Sequence, residues 1–298
     1  MAGAELIGKE ELNEMMALFK TGIFARYSLD KERQGIWKVR DFEKAFARYF
    51  GTRYALGVSS GSAALKVALT ALDVGPGDEV ICPAFTFMAT YEAVLEVGAM
   101  PVMADIDDTL NLDPDDIPNK LTSRTKAIIP VHMCGAPARM DKIMKVAKRY
   151  KLLVLEDNAQ ACGASIRGKL TGTFGHLSTF SFYPAHHITM GEGGCVATNN
   201  DDLARIVQSF RDWGRDCCCG GGESNRCGRR FSGRFGSLPF GYDHKYVYSH
   251  IGYNLKATDL QAAVGCAQLA KLDRFVSVRR ENFLNLTGRL QEHGDRLF

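Results

Sequence analysis

An α/β fold with a mostly parallel sheet and helices on both faces is predicted by three observations. Short β-rich runs alternate with helical apolar patterns through the middle of the chain. Apolar residues make up 46% and charged residues 24% of the 298, an ordinary globular composition. Apolar stretches such as Lys126-AIIPV-His132 run only four or five residues, against the roughly 20 a membrane span needs. At about 150 residues per domain, the length allows one large domain or two small ones.

The elements follow in chain order. Tyr54-ALGV-Ser59 reads as a strand, and SGSAALKVALTAL opens a helix behind it. Glu79-VICP is the next strand and TYEAVLEVG its helix; Ala127-IIPVH precedes ARMDKIMKVAKRY, which has apolar residues at helical spacing and a basic end. Leu152-LVLED, Leu177-STFSF and Cys195-VATN are further strands. From Arg211 to Tyr253 the alternation fails, in a segment rich in Gly, Arg, Cys and Tyr that is too long for a routine connection. Beyond it, the stretch from Leu255 reads as one long helix or two, ending at Gly294.

Lys plus Arg is 37 against 34 Asp plus Glu, a net charge of +3, so nucleic acid is not expected as a partner. The first residues, MAGAELIGKEELNEMM, lack the apolar run of a signal peptide, and the expected location is the cytoplasm. Nine cysteines, an odd number, argue against a disulfide framework. Four of them fall between Cys217 and Cys227 among Gly, Arg and Ser, which is no core composition.

Three constellations sit just past strand ends, where ligands bind in such sheets. Ser59-Ser-Gly-Ser62 between strand and helix suits either an anion at a helix N-terminus or a plain serine cap. Glu156-Asp-Asn-Ala-Gln160 places carboxylates at a buried strand end; such a group pairs with a cation, caps the next helix or holds a protonated pyridine nitrogen. Ser181-FYPAHHITMGEG-Gly194 joins paired histidines to a glycine-rich turn.

Together with Pro83-Ala-Phe-Thr-Phe87 and Gly252-YNLKATDL-Gln261, these motifs occur in an order that resembles the DegT family, the fold-type I, pyridoxal-phosphate-dependent sugar aminotransferases. The resemblance covers nearly the whole chain. It implies an aspartate-aminotransferase-like large domain at 31–260 with the Cys/Gly-rich insertion at 211–253. Residues 1–30 would be an N-terminal segment, and 261–298 would hold the long helix and the beginning of a small C-terminal domain. By the same resemblance Gly61, Ser62 and Ser181 hold the cofactor phosphate, Phe87 stacks on the pyridine ring, Asp157 pairs with its nitrogen, and Gln160 lies near its phenolic oxygen. Asn254 would reach the cofactor phosphate of a neighbouring subunit, so a homodimer with a shared active site is implied.

The sequence departs from the aminotransferases at one decisive position. The fifth residue after the motif serine is there the lysine that links covalently to the cofactor; here it is His186. Imidazole has no primary amine, but its ordinary pKa of about 6.5 suits a general base. Histidine at this place resembles the sugar 3-dehydratase branch of the family, which works with pyridoxamine or pyridoxal 5'-phosphate. Within it, Cys217-x-Cys219-x7-Cys227 resembles three ligands of the members that carry a [2Fe–2S] cluster and accept electrons from a reductase. The fourth ligand of those members falls at Ala159 here, and Cys162 is the expected substitute, with Cys218 and Cys195 as other candidates. Zinc is the chemical alternative for such thiolates.

The resemblance thus implies 3-dehydration of a nucleotide-linked 4-keto-6-deoxyhexose, with the CDP-glucose derivative as the expected substrate, in 3,6-dideoxysugar and O-antigen synthesis. A metal-free GDP-sugar dehydratase, a sugar aminotransferase and an inactive scaffold remain open beside it.

Overall fold

The computed structural model describes residues 4–27 and 29–291. Two helices precede the first strand: α1 (Lys9–Phe19) and α2 (Lys38–Phe50). Neither was expected in the N-terminal part. In α2, Val39, Phe42, Phe46 and Phe50 fall at helical spacing and are all buried, and Gly51 ends the helix in a left-handed turn at φ +67°.

The alternating middle folds as read. β1 (Tyr54–Val58) leads into α3 (Gly61–Ala71), and β2 (Glu79–Pro83) into α4 (Ala89–Glu96). β3 (Met100–Ala104) is a strand the sequence reading lacked; its burial is partial, and it pairs only with β2 at one end of the sheet. β4 (Thr125–Ile128) stops short of the expected His132 because Pro130 has no N–H to offer a ladder. α5 (Met140–Tyr150) and β5 (Leu153–Asp157) follow, then a two-stranded ribbon, β6 (Ser165–Ile166) with β7 (Lys169–Leu170). β8 (Leu177–Ser181), β9 (Gly194–Thr198) and α6 (Asp201–Arg211) complete this part.

Seven strands form one sheet in the order β1-β9-β8-β5-β4-β2-β3. Only β9 runs antiparallel to its neighbours, so the other six point the same way and present their carboxyl ends along one edge. An apolar cluster around α3, Val80, Leu155 and Val207 packs one side. Two others lie under α2 and α5.

The segment after α6 is tied to this body by Arg211, which is fully buried. Its guanidinium donates to the Gly57 carbonyl at 3.2 Å and ion-pairs with Glu43 and Asp212. Short bridges, Asp212 to Asn254 and Arg215 to Tyr248, draw the two ends of the insertion together. The stretch from Leu255 yields two helices, α7 (Asp259–Ala270) and α8 (Leu272–Gln291), parted at Lys271, whose ammonium reaches Glu11 of α1 at 2.7 Å. The expected end at Gly294 lies outside the described residues.

β9 can approach α3 only through glycine: a Cβ on Gly194 would stand 2.2 Å from the Ser60 carbonyl oxygen. Gly194→Ala therefore costs about 1–3 kcal/mol by overpacking, read as a lower urea midpoint. Gly288, in α8 with open space around its Cα, behaves oppositely: Gly288→Ala gains up to about 1 kcal/mol of helix propensity.

Candidate active site

Consecutive residues of a strand point to opposite faces, and the end of β5 uses this to separate two carboxylates. Glu156 is fully buried and satisfied: it accepts N–H bonds from Gly172 (2.8 Å), Phe174 (2.6 Å) and Gly175 (2.6 Å). His132 adds a bond at 3.2 Å. Because the His132 Nδ1 accepts from the Ala138 N–H, its Nε2 carries the proton given to Glu156. Glu156 is thus a brace for the 172–175 turn.

Asp157 is different. It is 6% exposed, yet among the described residues no Lys, Arg or His nitrogen forms an ion pair with it. Its carboxylate accepts only the Thr90 hydroxyl and the Ala159 N–H, each at 3.2 Å. Burial pushes its pKa up against these bonds. A carboxylate left in this state lacks a cationic partner.

The carboxyl edge of the sheet gathers the other expected residues. The Ser60 hydroxyl caps α3 through the Ala63 N–H at 3.1 Å, while the Gly61 and Ser62 N–H groups meet no acceptor among the described residues. A Cβ on Gly61 would stand 2.6 Å from that of Ser181, so the cap and the β8 terminus touch through glycine. Together they leave an anion cradle at the start of an eleven-residue helix. Phe87, before α4, is 72% exposed and free to cover a planar ligand. Gln160 accepts the Cys134 N–H at 2.9 Å through its carbonyl, which leaves its amide nitrogen to donate. Asn254 is exposed, bridged through its backbone to Asp212 and bonded by Lys256.

His186 lies in the turn after β8, its ring edge-on to Tyr183 with centroids 6.2 Å apart. Burial, then the charge of Arg279, lowers its pKa, so the ring is neutral at pH 7. Its backbone carbonyl accepts from Arg279 at 3.3 Å. His187 beside it is pushed down to about 4, with burial as the first cause, and its Nδ1 is buried without a partner. The glycine turn is pinned by Gln261: its side chain closes a capping box with Thr258 at the start of α7 and donates to the Glu192 carbonyl at 2.7 Å.

The cysteines divide. Cys217, Cys219 and Cys227 line one cavity of about 110 Å3 with His244, Arg215 and Arg230. Cys218 does not line it. Cys162 is not with them. It is 1% exposed in the apolar cluster of Phe42, Phe46, Phe180 and Phe182, where burial raises its pKa strongly. Its expected place as fourth ligand is therefore corrected: a residue five after Asp157 turns into the core beneath α2. Cys82 and Cys195 are buried in the core as small hydrophobes.

Thr90, His132 and Arg279 escaped the sequence reading. Thr90 had a signal, its spacing four residues after Thr86 in the first turn of a helix, where the two hydroxyls now bond at 2.9 Å. The other two are set by tertiary packing alone.

Comparison with known proteins shows the family. The model of the DegT/DnrJ/EryC1/StrS aminotransferase family matches residues 31–297. A dTDP-4-dehydro-2,6-dideoxy-D-glucose 3-dehydratase of Saccharopolyspora spinosa is 50% identical over 83% of this chain and 55% of its own length. A lipopolysaccharide biosynthesis protein of Salmonella typhimurium is 46% identical over 84% of this chain and 59% of its own. This chain thus spans a little over half the length of these two relatives. Among solved structures, the E. coli GDP-4-keto-6-deoxy-D-mannose-3-dehydratase with bound hydrated PLP superposes with a TM-score of 0.82 at 30% identity. That match covers 96% of this chain and 71% of the other.

The lone Asp157 carboxyl gives a stability test. Its folded pKa lies above the unfolded value of about 3.9, so its favourable contribution holds in acid and is lost as pH rises through the raised value. At pH 7 the ligand-free protein carries that penalty. Asp157→Asn removes it and raises the ligand-free melting temperature by about 2–4 °C, the shift for about 1 kcal/mol; an unchanged or lower value at pH 7 counts against an unpaired carboxylate.

Proposed function

The chain belongs to the DegT/DnrJ/EryC1/StrS aminotransferase family, and on that premise we propose that it is a pyridoxamine- or pyridoxal-phosphate-dependent 3-dehydratase of a nucleotide-linked 4-keto-6-deoxyhexose. The observation that carries this reading is His186. The sheet edge offers free N–H groups at the start of α3 and a buried aspartate without a cation, which suit pyridoxal phosphate. An imidazole neutral at pH 7 stands where, by the resemblance, the aminotransferases carry lysine. The 3-dehydratase names of the 50%-identical relative and of the superposed structure support it.

The residues fit the cofactor. Asp157, buried without a cation, suits a protonated pyridine nitrogen. The free Gly61 and Ser62 N–H groups, with the hydroxyls of Ser62 and Ser181, suit a phosphate. Phe87 is placed to stack on the ring, and the Gln160 amide to donate to its phenolic oxygen. When bound, the cofactor supplies an electron sink and an amine that condenses with a sugar ketone.

The chain's own part is positional and acid–base. Asp157 holds a proton on the facing nitrogen, and Thr90 orients that carboxylate. His186, neutral at pH 7, would accept on its ring the proton removed from the carbon beside the cofactor's amine, and would hand it to the departing C3 hydroxyl, which leaves as water. Burial first, and then the charge of Arg279, keep the ring neutral, and Arg279 holds the turn by its bond to the His186 carbonyl.

The CDP-glucose derivative is the proposed sugar, in the synthesis of a 3,6-dideoxysugar. A second nucleotide sugar, the dTDP-linked 4-keto-2,6-dideoxyglucose, is favoured by the name of the 50%-identical relative. A homodimer is proposed with Asn254, exposed and fixed by its backbone, reaching the neighbouring subunit's site. The [2Fe–2S] cluster with a reductase partner belongs to the iron–sulfur branch, but its expected donors do not fit here. Cys162 lies in the core, and as the side chains stand no three His, Cys, Asp or Glu residues among those described are set to hold a metal ion. No electron step is assigned to these thiols.

His186→Asn should lower 3-dehydration by about 100-fold or more, the worth of a general base, while cofactor affinity stays within a few-fold. Retained turnover would sink His186 as the base. Borohydride should fail to trap cofactor on the wild-type chain, and trapping would favour an aminotransferase-type lysine elsewhere. Because its pKa is lowered, the acid limb of activity lies below about 6.5. Arg279→Gln removes a cation and moves that limb upward in a pH–rate profile.

A further inference from the structure

Lys256 is a half-buried cation that forms no ion pair with a carboxylate among the described residues. Asp212, whose charge it feels, spends its two oxygens on Arg211 and the Tyr27 hydroxyl. Two other contacts hold the ammonium. Its Nζ lies 3.2 Å from the centroid of the Trp213 ring, and it donates to the Asn254 Oδ1. The backbone sets all three residues in place. Lys256 bridges Val58 at the end of β1, and Asn254 bridges Asp212. The Trp213 N–H donates to the Tyr253 carbonyl at 2.6 Å, and the Gly214 N–H to the Ser209 carbonyl at 2.7 Å. Trp213 is thereby kept at φ +65°, a left-handed backbone that a bulky residue rarely adopts. What that strain delivers is an indole face under the lysine.

An ammonium has three donors and no acceptor, so the oxygen of a bonded amide must face it and the NH2 group must face away. Burial first, then the guanidinium charges of Arg211, Arg215 and Arg26 against that of Asp212, brings the Lys256 pKa down to about 8. At pH 7 the nitrogen is therefore still a donor only. We propose that Lys256 is a positioning residue for the cofactor: by holding the exposed Asn254 amide by its oxygen, it turns both amide hydrogens toward the phosphate in the neighbouring subunit's cradle. The proposal rests on the cofactor and the dimer proposed above. An amide released from Lys256 could turn over and set its oxygen against the phosphate, where like partial charges repel.

The test measures binding and not turnover. Pyridoxamine 5'-phosphate and, in parallel, pyridoxamine are titrated into the full chain at pH 7, followed by ligand fluorescence. The salt is about 1 M, where a bare charge acts over only about 3 Å. Lys256→Met should weaken pyridoxamine 5'-phosphate by about 10-fold, the worth of one hydrogen bond to a charged group, and leave pyridoxamine unchanged. Lys256→Arg, which keeps both donor and charge, should stay within a few-fold of wild type. Asn254→Ala should cost as much as Lys256→Met, and the double variant no more than either alone. Losses that add would give Lys256 its own contact with the phosphate, and an equal loss for pyridoxamine would make its role structural; each overturns the proposal. Wild-type chain that binds neither ligand overturns the cofactor reading and this proposal with it. Binding that survives Lys256→Met undiminished overturns this proposal alone.

Discussion

Two consecutive carboxylates at the end of one buried strand are the constraint on which the site rests. Burying a charge is costly unless it is paired, and β5 resolves the two cases in opposite ways. Glu156 spends its lone pairs on three backbone N–H groups and His132. This locks the 172–175 turn and hence the approach of β8. Asp157, facing the other way, is held at the sheet edge with only a hydroxyl and one N–H. The stability of the first permits the incompleteness of the second. Under the proposed function, a cationic ring facing this aspartate turns a desolvation penalty into an ion pair.

The rest of the site follows from bringing strand ends together. Glycine at 61 and 194 lets α3, β8 and β9 meet closely enough to leave backbone N–H groups facing outward. Gln261 serves two structures at once, capping α7 and holding the turn that carries the glycines. Arg211, buried among Glu43, Asp212 and the Gly57 carbonyl, plays the same part for the cysteine-bearing segment. That segment is irregular, but it is anchored at both ends.

Much of this was legible in the sequence, for identifiable reasons. Strand ends marked by Ser-Gly-Ser and Glu-Asp carry local chemistry, so they stand out as candidate site residues without tertiary knowledge, while which carboxylate stays unpaired shows only in the fold. β3 was hidden because an edge strand is only half buried, and Met100-PVMA lacks both a clean alternation and a continuous apolar run. α2 hid in a charged stretch whose apolar residues fall four apart. Cys162 misled because spacing along a chain does not say which way a turn faces. Only the packing of Phe46 and Phe180 shows that it points inward.

The reversed strand has a consequence for how the chain is made. β1 finds its only sheet partner in β9, with Tyr54 paired to Thr198 and Val58 to Gly194. On a ribosome, the first strand waits while the whole parallel core emerges and collapses, a long-range closure of the kind that slows folding. The anion cradle is completed by that same closure, because Gly194 packs directly on Ser60 and Gly61. No nascent chain shorter than β9 can form that cradle, and the glycine turn beside it waits further still, for Gln261 of α7 to emerge and pin it.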